Sequence, residues 1–219
     1  MKRIFLSLIC SLPLMAWSQS VWERPETAVQ TKTVKEKVHK EKKTVKDTAD
    51  IKYMAGTVPL NKEGKVEWIL DVDVPGKSAT QIYDMMLKCL MDLTKTENQL
   101  EGSDVTLVNK QDHIVVASVK EWLVFKENFL MLDRTKFYYT LVAYCSDNHL
   151  KLSMSRIYYR YEEEQNDGGR VYKAEEWITD DNALNRKKTR LLPLSAKFRR
   201  KTIDRKDQIF DTIEKMVLK

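Results

Sequence analysis

The sequence has few of the residues on which enzyme motifs and disulfide scaffolds depend. Its 219 residues include three cysteines, three histidines and six glycines. So few cysteines exclude a disulfide-rich scaffold. A Walker-type glycine loop, GxGxxG, GxSxG, HExxH and CxxC are all absent from the sequence. Because these patterns carry much of known nucleotide, hydrolase and metal chemistry, we predict a non-enzymatic chain with no cofactor and no metal.

Long apolar runs are also missing, with one exception at the N-terminus. Residues 4–15 are apolar and follow two basic residues, but they are too few to reach the roughly 20 that span a bilayer. Ala16 and Ser18 supply small residues at the −3 and −1 positions. This pattern predicts a signal peptide over residues 1–18 with cleavage before Gln19. We therefore expect an exported chain, periplasmic or secreted, with no transmembrane segment once mature.

Signal cleavage would leave two cysteines, Cys89 and Cys145. An oxidising compartment would favour a disulfide between them. The apolar neighbours of both residues favour free, buried thiols instead. The sequence leaves both states open.

The formal charge of +6 is concentrated in two segments. The leader contributes +2, and residues 32–46 contribute +5 through seven lysines and two glutamates. Everything else sums to −1, so the basic composition is no evidence for nucleic-acid binding. Residues 19–50 lack a periodic apolar pattern, which favours a solvated basic tether. The alternative is an arm that contacts an anionic surface of the envelope.

Apolar residues recur with regular periods from residue 51 to the C-terminus. Residues 66–74 alternate between apolar and polar, which predicts a strand, and Pro75 and Gly76 end it. Ser78 and Gln81 form a capping-box pattern that opens a helix. The helix carries one apolar stripe, made by Ile82, Met86, Cys89, Leu90 and Leu93.

Strand-forming residues dominate the middle of the chain. The predicted strands are 105–108, 114–119, 122–125, 136–144, 149–161 and 171–178, joined by short polar turns that favour antiparallel hairpins. A long amphipathic helix is predicted over 194–218, with Ser195 as its N-cap and Pro193 just outside it. Residues 51–219 are therefore predicted to be α+β, a curved antiparallel sheet with a short helix after the first strand and the long helix packed on one face.

The densest charge in the predicted domain lies between residues 186 and 201, where eight residues are basic and none is acidic. Such a cluster can bind a polyanion through charge-assisted hydrogen bonds, or it can be a solvated face. Tyrosines on the predicted strands fall on both strand faces, as sheet packing alone produces. Together with export, this argues against nucleic acid. The candidate polyanion-binding residues are Arg186, Lys187, Lys188, Arg190, Lys197, Arg199, Arg200 and Lys201.

Asp71 and Asp73 lie two residues apart on the first predicted strand, so their carboxylates share a face. Two acids in a cleft can act as general acid and base. Lys65 and Glu67 have the same parity, which favours a solvated face instead. We therefore predict no catalysis from this pair.

The segment YMAGTVPLNKEGKVEWILDVDVPGKSATQIYD, residues 53–84, resembles the opening of a known family. That family consists of exported Bacteroidetes domains of unknown function with a TATA-binding-protein-like fold. FYYTLVAYCSDNHLKLSMSRIYYRY, residues 137–161, resembles the family's paired strands, and Trp177 and a terminal helix follow. The resemblance implies this fold over about residues 51–219 and carries no established active site. The fold name does not imply DNA binding.

Three functional hypotheses follow from the sequence. The first is an exported binding or interaction module that holds an apolar ligand or an envelope protein between the sheet and the C-terminal helix. The second is docking of a polyanion, such as envelope glycan, lipid or nucleic acid, through the basic cluster at 186–201. The third is an enzyme centred on Asp71 and Asp73.

Overall fold

The computed structural model describes residues 50–129, 131–161 and 169–219. The predicted signal peptide and the tether up to residue 49 lie outside the described residues. The strands are β1 (Trp68–Asp73), β2 (Asp104–Asn109), β3 (Ile114–Asn128), β4 (Met131–Ser146), β5 (His149–Tyr161) and β6 (Arg170–Lys173). The helices are α1 (Ala79–Leu93), α2 (Ala174–Trp177), α3 (Asp180–Ala183) and α4 (Pro193–Val217), preceded by a 3₁₀ turn at Ile51–Tyr53. Within the described residues, no helix is long and apolar enough to cross a membrane.

The strands form one antiparallel sheet in the order β1-β5-β4-β3-β2. β1 pairs with the first half of β5 and β6 with its last four residues, so both lie on the same edge of β5. β3 and β4 form a long hairpin that is paired from Ile114 and Tyr144 to Asn128 and Met131. The residues expected to connect them, Glu127 and Asn128, therefore belong to β3. The predicted α+β architecture and antiparallel pairing are confirmed.

The inner face of the sheet builds the core because apolar residues occupy alternate positions of each strand. On β4, Phe137, Leu141 and Ala143 are fully buried, and on β1 Trp68 and Val72 are buried. α1 packs on this face against β4, and α4 packs against β3. The opposite face carries no helix among the described residues and remains partly exposed.

α1 begins as its sequence predicts. The Ser78 hydroxyl accepts a hydrogen bond from the backbone N–H of Gln81, and the Gln81 side chain accepts one from the backbone N–H of Ser78. Ile82, Met86 and Leu90 are fully buried. Each such side chain contributes roughly 1.5–3 kcal/mol through burial, which fixes the helix on the sheet.

Several predicted boundaries are wrong. The strands expected over 114–119 and 122–125 are one continuous strand, β3, and the strand expected over 136–144 begins at Met131. The strand expected over 171–178 ends at Lys173, and α2 follows, because Ala174 and Ile178 are spaced to bury one helical face. α4 begins at Pro193, with Leu192 as the N-cap residue, whereas Ser195 is buried inside the first turn. Proline is favoured at the first helical position because its missing N–H would be unpaired there in any case.

Candidate functional site

A groove of about 690 Å³ lies between α1 and α4. Met85, Cys89 and Leu93 line it from α1 at intervals of four residues. Residues at this spacing share one helix face. The α4 wall repeats the pattern with Ile209, Ile213 and Met216. Lys88, Asp92, Thr96, Asn98 and Thr212 also line it. The groove therefore combines an apolar face of each helix with several polar residues.

The buried carboxylate of Glu121 lies near one end of this groove and holds the polar side chains around it in place. Glu121 of β3 has 1% of its surface exposed. Its two oxygens accept hydrogen bonds from Arg205 at 2.8 and 2.7 Å. Tyr139 donates to it at 2.9 Å and Gln99 at 2.8 Å. Because Gln99 follows α1 in the chain and Arg205 shares the Glu121 carboxylate with it, Arg205 lies near the C-terminal end of α1.

Arg205 is the charged group that this network presents to the groove. Burial by itself would lower the pKa of Arg205, but the hydrogen bonds and charge of Glu121 raise it overall. Burial and the nearby Glu121 carboxylate also raise the pKa of Tyr139 well above its ordinary value. Arg205 Nη1 donates to Gln208 at 2.7 Å. The guanidinium is therefore fixed in position and remains charged.

The groove also contains a thiol. Cys89 is half-buried, and burial raises its pKa, so the neutral thiol prevails near neutral pH. Cys145 lies in the core, where burial raises the pKa of its thiol to about 12. Both cysteines are free. Of the two states that the sequence left open, the structure has the unpaired one.

The space predicted between the sheet and the C-terminal helix is occupied by side chains. Phe198 of α4 lies against Phe125 with ring centres 4.6 Å apart, and against Tyr159 and Tyr161 at 5.1 and 5.4 Å. Edge-to-face aromatic contacts of this kind are close-packed and stabilising. The groove that the structure offers instead lies between the two helices.

The structure separates the eight basic residues predicted as a polyanion site. Arg186, Lys187, Lys188 and Arg190 are exposed on the loop before α4. The Asn185 side chain holds this loop in a tight turn by accepting hydrogen bonds from the backbone N–H groups of residues 189 and 190. Lys201 is half-buried on α4. Polyanion binding by the exposed loop stays a prediction.

Arg199 is a correction to that prediction, since its side chain has 0% exposure and cannot reach a polyanion. It donates to the carbonyls of Tyr53, Met54 and Ile178, each at 2.7 Å, and to the Asp180 carboxylate at 2.7 Å. It therefore holds the segment before β1 against α4.

Lys197 and Arg200 are engaged inside the domain in the same way. Lys197 pairs with Asp133 at 2.9 Å and donates to the Tyr161 hydroxyl at 2.7 Å. Arg200 makes two hydrogen bonds of 2.9 Å to Asp50. Their charges are already balanced by acids of the chain, so the local charge in the sequence overstates the charge offered to a partner.

The two acids that share a face of β1, Asp71 and Asp73, are exposed to solvent. Asp71 and Asp73 have 59% and 94% of their side chains exposed, and His149 lies 3.1 and 3.2 Å from them. Such an arrangement lacks the water-excluding cleft that general acid–base chemistry uses. Among the described residues, no three His, Cys, Asp or Glu side chains are placed to share a metal ion.

Sequence reasoning missed Glu121, although a signal for it exists. Val115, Ala117, Val119 and Leu123 of β3 are buried at alternate positions. Glu121 occupies the same parity, and a charge at a buried parity is stable only when it is paired. The alternation alone would thus have identified Glu121 as a buried charge. It could not have identified the partner Arg205, which lies 84 residues away in the sequence.

Comparison with known proteins places this arrangement in context. A family model described as a domain of unknown function (DUF4468) with TBP-like fold matches residues 68–160. A DUF4468 family protein from Bacteroides ovatus, known from a crystal structure, is 34% identical with a TM-score of 0.70, over 77% of this chain and 94% of that one. A TBP-like protein from Parabacteroides distasonis is 21% identical with a TM-score of 0.56, over 73% and 96% of the two chains, and shows the fold alone. No curated protein matches. The predicted resemblance is confirmed.

Proposed function

The chain belongs to the DUF4468 family of domains with a TBP-like fold, and we propose that it is an exported, non-enzymatic module that binds an elongated apolar molecule. The observation that carries this proposal is the groove between α1 and α4. Its volume of about 690 Å³ falls within the range of roughly 300–1,000 Å³ typical of small-molecule sites.

The lining of the groove supports an apolar occupant with one polar end. Six apolar side chains from the two helices face each other, and Met85 and Met216 lie toward the end away from Arg205. Methionine adapts its shape to different apolar ligands. Arg205 and Gln208 supply polar contacts at the other end. The lining also includes the polar residues Lys88, Asp92, Thr96, Asn98 and Thr212. Polar groups beside an apolar wall fix the orientation of a ligand.

The expected affinity follows from the buried chain length. Each methylene group that leaves water contributes about 0.8 kcal/mol. Ten of them would contribute about 8 kcal/mol, from which association subtracts at least about 4 kcal/mol. The net of at most about 4 kcal/mol corresponds to a dissociation constant of about 1 mM for the saturated chain alone. Retention through purification therefore requires a longer chain or the additional polar contacts of Arg205 and Gln208.

The proposal is tested first on the full chain purified from its own host. Native mass spectrometry should show a retained mass that organic solvent removes. In parallel, a fatty-acid-like fluorescent probe should bind the emptied protein, and it should slow alkylation of Cys89 by a small maleimide. Protein that carries no extra mass, binds no probe and leaves Cys89 equally reactive would contradict the proposal.

A pair of variants locates the site. Cys89→Phe fills the groove, whereas Met91→Phe adds a similar ring on the exposed side of the same helix. We expect the first variant to lose probe binding by about tenfold or more and the second to keep it. Equal binding by both variants would place the ligand elsewhere. Probe binding that is weak beside tight binding of an amphipathic helical peptide would favour a protein partner.

Export is a separate part of the proposal, motivated by the N-terminal pattern of residues 1–18. Expression of the full chain in its host, followed by cell fractionation, should place the protein outside the cytoplasm. N-terminal sequencing should begin at Gln19. A cytoplasmic protein that retains Met1 would overturn this part and leave the groove unaffected.

A second candidate function rests on the exposed loop before α4. The turn fixed by Asn185 presents four basic side chains within five residues, of which Lys188 contacts Asp181 at 3.2 Å. Binding of an anionic polymer to this loop would weaken steeply with salt. Charge removal at Arg186, Lys187 and Arg190 should abolish it, and salt-independent binding would contradict it.

A further inference from the structure

One edge of β5 has a gap between two shorter strands. β1 pairs with this edge as far as Met154, and β6 pairs with it from Tyr158 onward. Among the described residues, no strand pairs there with Ser155, Arg156 or Ile157. At about 3.3 Å per residue, these positions leave a gap of roughly 10 Å, which is the length of about three residues of an added strand. We call these three positions the edge gap.

The backbone of the edge gap is strained. Arg156 and Ile157 of β5 lie opposite the single residue Tyr139 of β4, which makes a β-bulge. Arg156 has a φ of 54°, in the left-handed region where bulges of this kind favour glycine. Such strain is concentrated at functional sites, and bulges re-aim side chains toward them. The conformation therefore indicates a function for the Arg156 side chain.

A depression of about 470 Å³ lies over the edge gap. Ile157, Tyr158 and Val171 give it an apolar wall. Both signs of charge line the rest of it in equal number. The charged lining residues are Glu63, Lys65, Glu67, Arg156, Lys173 and Glu175. An occupant that carries both a positive and a negative group complements this lining.

Three of the six charges are available to such an occupant. The exposed side chains of Glu63, Lys65 and Arg156 make no hydrogen bond or ion pair with any residue that the structure describes. The other three lining charges are each engaged within the chain. The available set therefore contains one anion and two cations.

We propose that the edge gap binds a short peptide with free termini as an added strand. An unpaired sheet edge offers main-chain hydrogen bonds to an extended peptide. The two available cations bind the terminal carboxylate, and Glu63 binds the α-ammonium group, through charge-assisted hydrogen bonds. The apolar wall favours an apolar side chain at the middle residue. About three residues then place both charged ends within the depression.

The test uses the full chain and the tripeptide Ala-Val-Ala with free termini as the probe, titrated by calorimetry. The comparison peptides are its C-terminal amide, its N-acetyl form and a form with a methylated valine nitrogen. Each of them loses one charged end or one main-chain donor, so we expect each to bind about fivefold or more weakly. Cellobiose, an uncharged disaccharide of similar size, should not bind.

Two variants distinguish the role of Arg156 from a general effect of charge or strain. Arg156→Gly removes the guanidinium and supplies the residue that tolerates this φ. We expect binding that is weaker by about tenfold or more, with an unfolding midpoint that is unchanged or higher. Lys188→Gly is the matched control, because Lys188 has a φ of 53° and lies on the loop before α4, outside the depression. It should keep wild-type binding.

Glu63→Gln tests the other end of the peptide. It should weaken binding of Ala-Val-Ala by about fivefold and leave binding of the N-acetyl form unchanged, because only the free amine is charged. A uniform loss for both peptides would contradict the assigned orientation.

Several results would overturn the proposal. They are no binding of Ala-Val-Ala, equal binding of the free and blocked peptides, tighter binding of cellobiose, and an equal loss in Arg156→Gly and Lys188→Gly. A lowered unfolding midpoint in Arg156→Gly would contradict the strain argument. Because the groove between α1 and α4 shares no lining residue with the depression, the fatty-acid-like probe should not displace the peptide. Displacement would place the peptide in the groove instead.

Discussion

Replacement of Arg199 by methionine tests a fully buried side chain that makes five hydrogen bonds. Methionine keeps the apolar stem of the arginine but removes its guanidinium. Three backbone carbonyls and the Asp180 carboxylate would then lose their donor at 2.7 Å. Arg→Met therefore separates the polar contribution of this residue from its packing.

The expected loss of stability can be worked from these contacts. Breaking a buried ion pair by removing one partner costs about 3–5 kcal/mol. Asp180 keeps 21% of its side chain exposed and can be rehydrated, so we expect the lower part of that range, about 3–4 kcal/mol. For a domain of this size, each kcal/mol lowers Tm by about 2–4 °C. The expected decrease in Tm is therefore about 6–16 °C.

Urea unfolding of the full chain, followed by circular dichroism, measures this loss. Hydrogen exchange should also show faster opening at residues 53–57, because Arg199 anchors that segment to α4. Arg200→Met is the matched control. Its partly exposed pair with Asp50 should contribute less than about 1 kcal/mol. Equal, small losses in both variants would refute the assignment of Arg199 as the anchor.

Three further predictions concern the first helix, the buried carboxylate and alkaline pH. Ser78→Ala should lower the free energy of unfolding by about 1 kcal/mol, because α1 loses its capping box; an unchanged urea midpoint would contradict this. Glu121→Gln should lower the free energy of unfolding by about 3 kcal/mol, since an amide nitrogen would face the N–H donors of Arg205. A variant as stable as wild type would show that the ion pair of Glu121 and Arg205 is dispensable for stability. The Cys145 thiol has a folded pKa of about 12 against an ordinary 9.0. The stability that the protein gains from keeping this thiol neutral is thus fully present below pH 9. The free energy of unfolding then falls by up to about 1.4 kcal/mol per pH unit as the pH rises toward 12. Wild type should lose stability over that interval more steeply than Cys145→Ala, and parallel curves would disprove the effect.

Much of the fold could be predicted because local patterns and tertiary burial agree. The alternation of residues 66–74 gives β1 its buried Trp68 and Val72, and Ser78 and Gln81 mark the start of α1. Both signals depend on neighbours within four residues. A single sequence contains such signals in full, so they predict elements well.

Boundaries set by distant contacts could not be predicted in the same way. β6 gives way to α2 at Ala174, where Glu175 accepts a hydrogen bond from the backbone N–H of Val66 at 2.9 Å. Trp177 stacks on Tyr172 with ring centres 4.1 Å apart. Both contacts lie on a short segment whose composition suits a strand equally well. The contacts with Val66 and Tyr172 therefore decide that this segment is helical, and the strand or helix propensities of its residues do not.

Charge density along the sequence proved a poor guide to the charge that a partner would meet. Between residues 197 and 200, three basic side chains turn inward or toward acids, and Arg199 is fully buried. A helix distributes successive residues around its axis, so a run of cations at its start necessarily divides between surface and interior. The run of cations therefore marked a buried anchoring residue, Arg199, as much as it marked a charged surface.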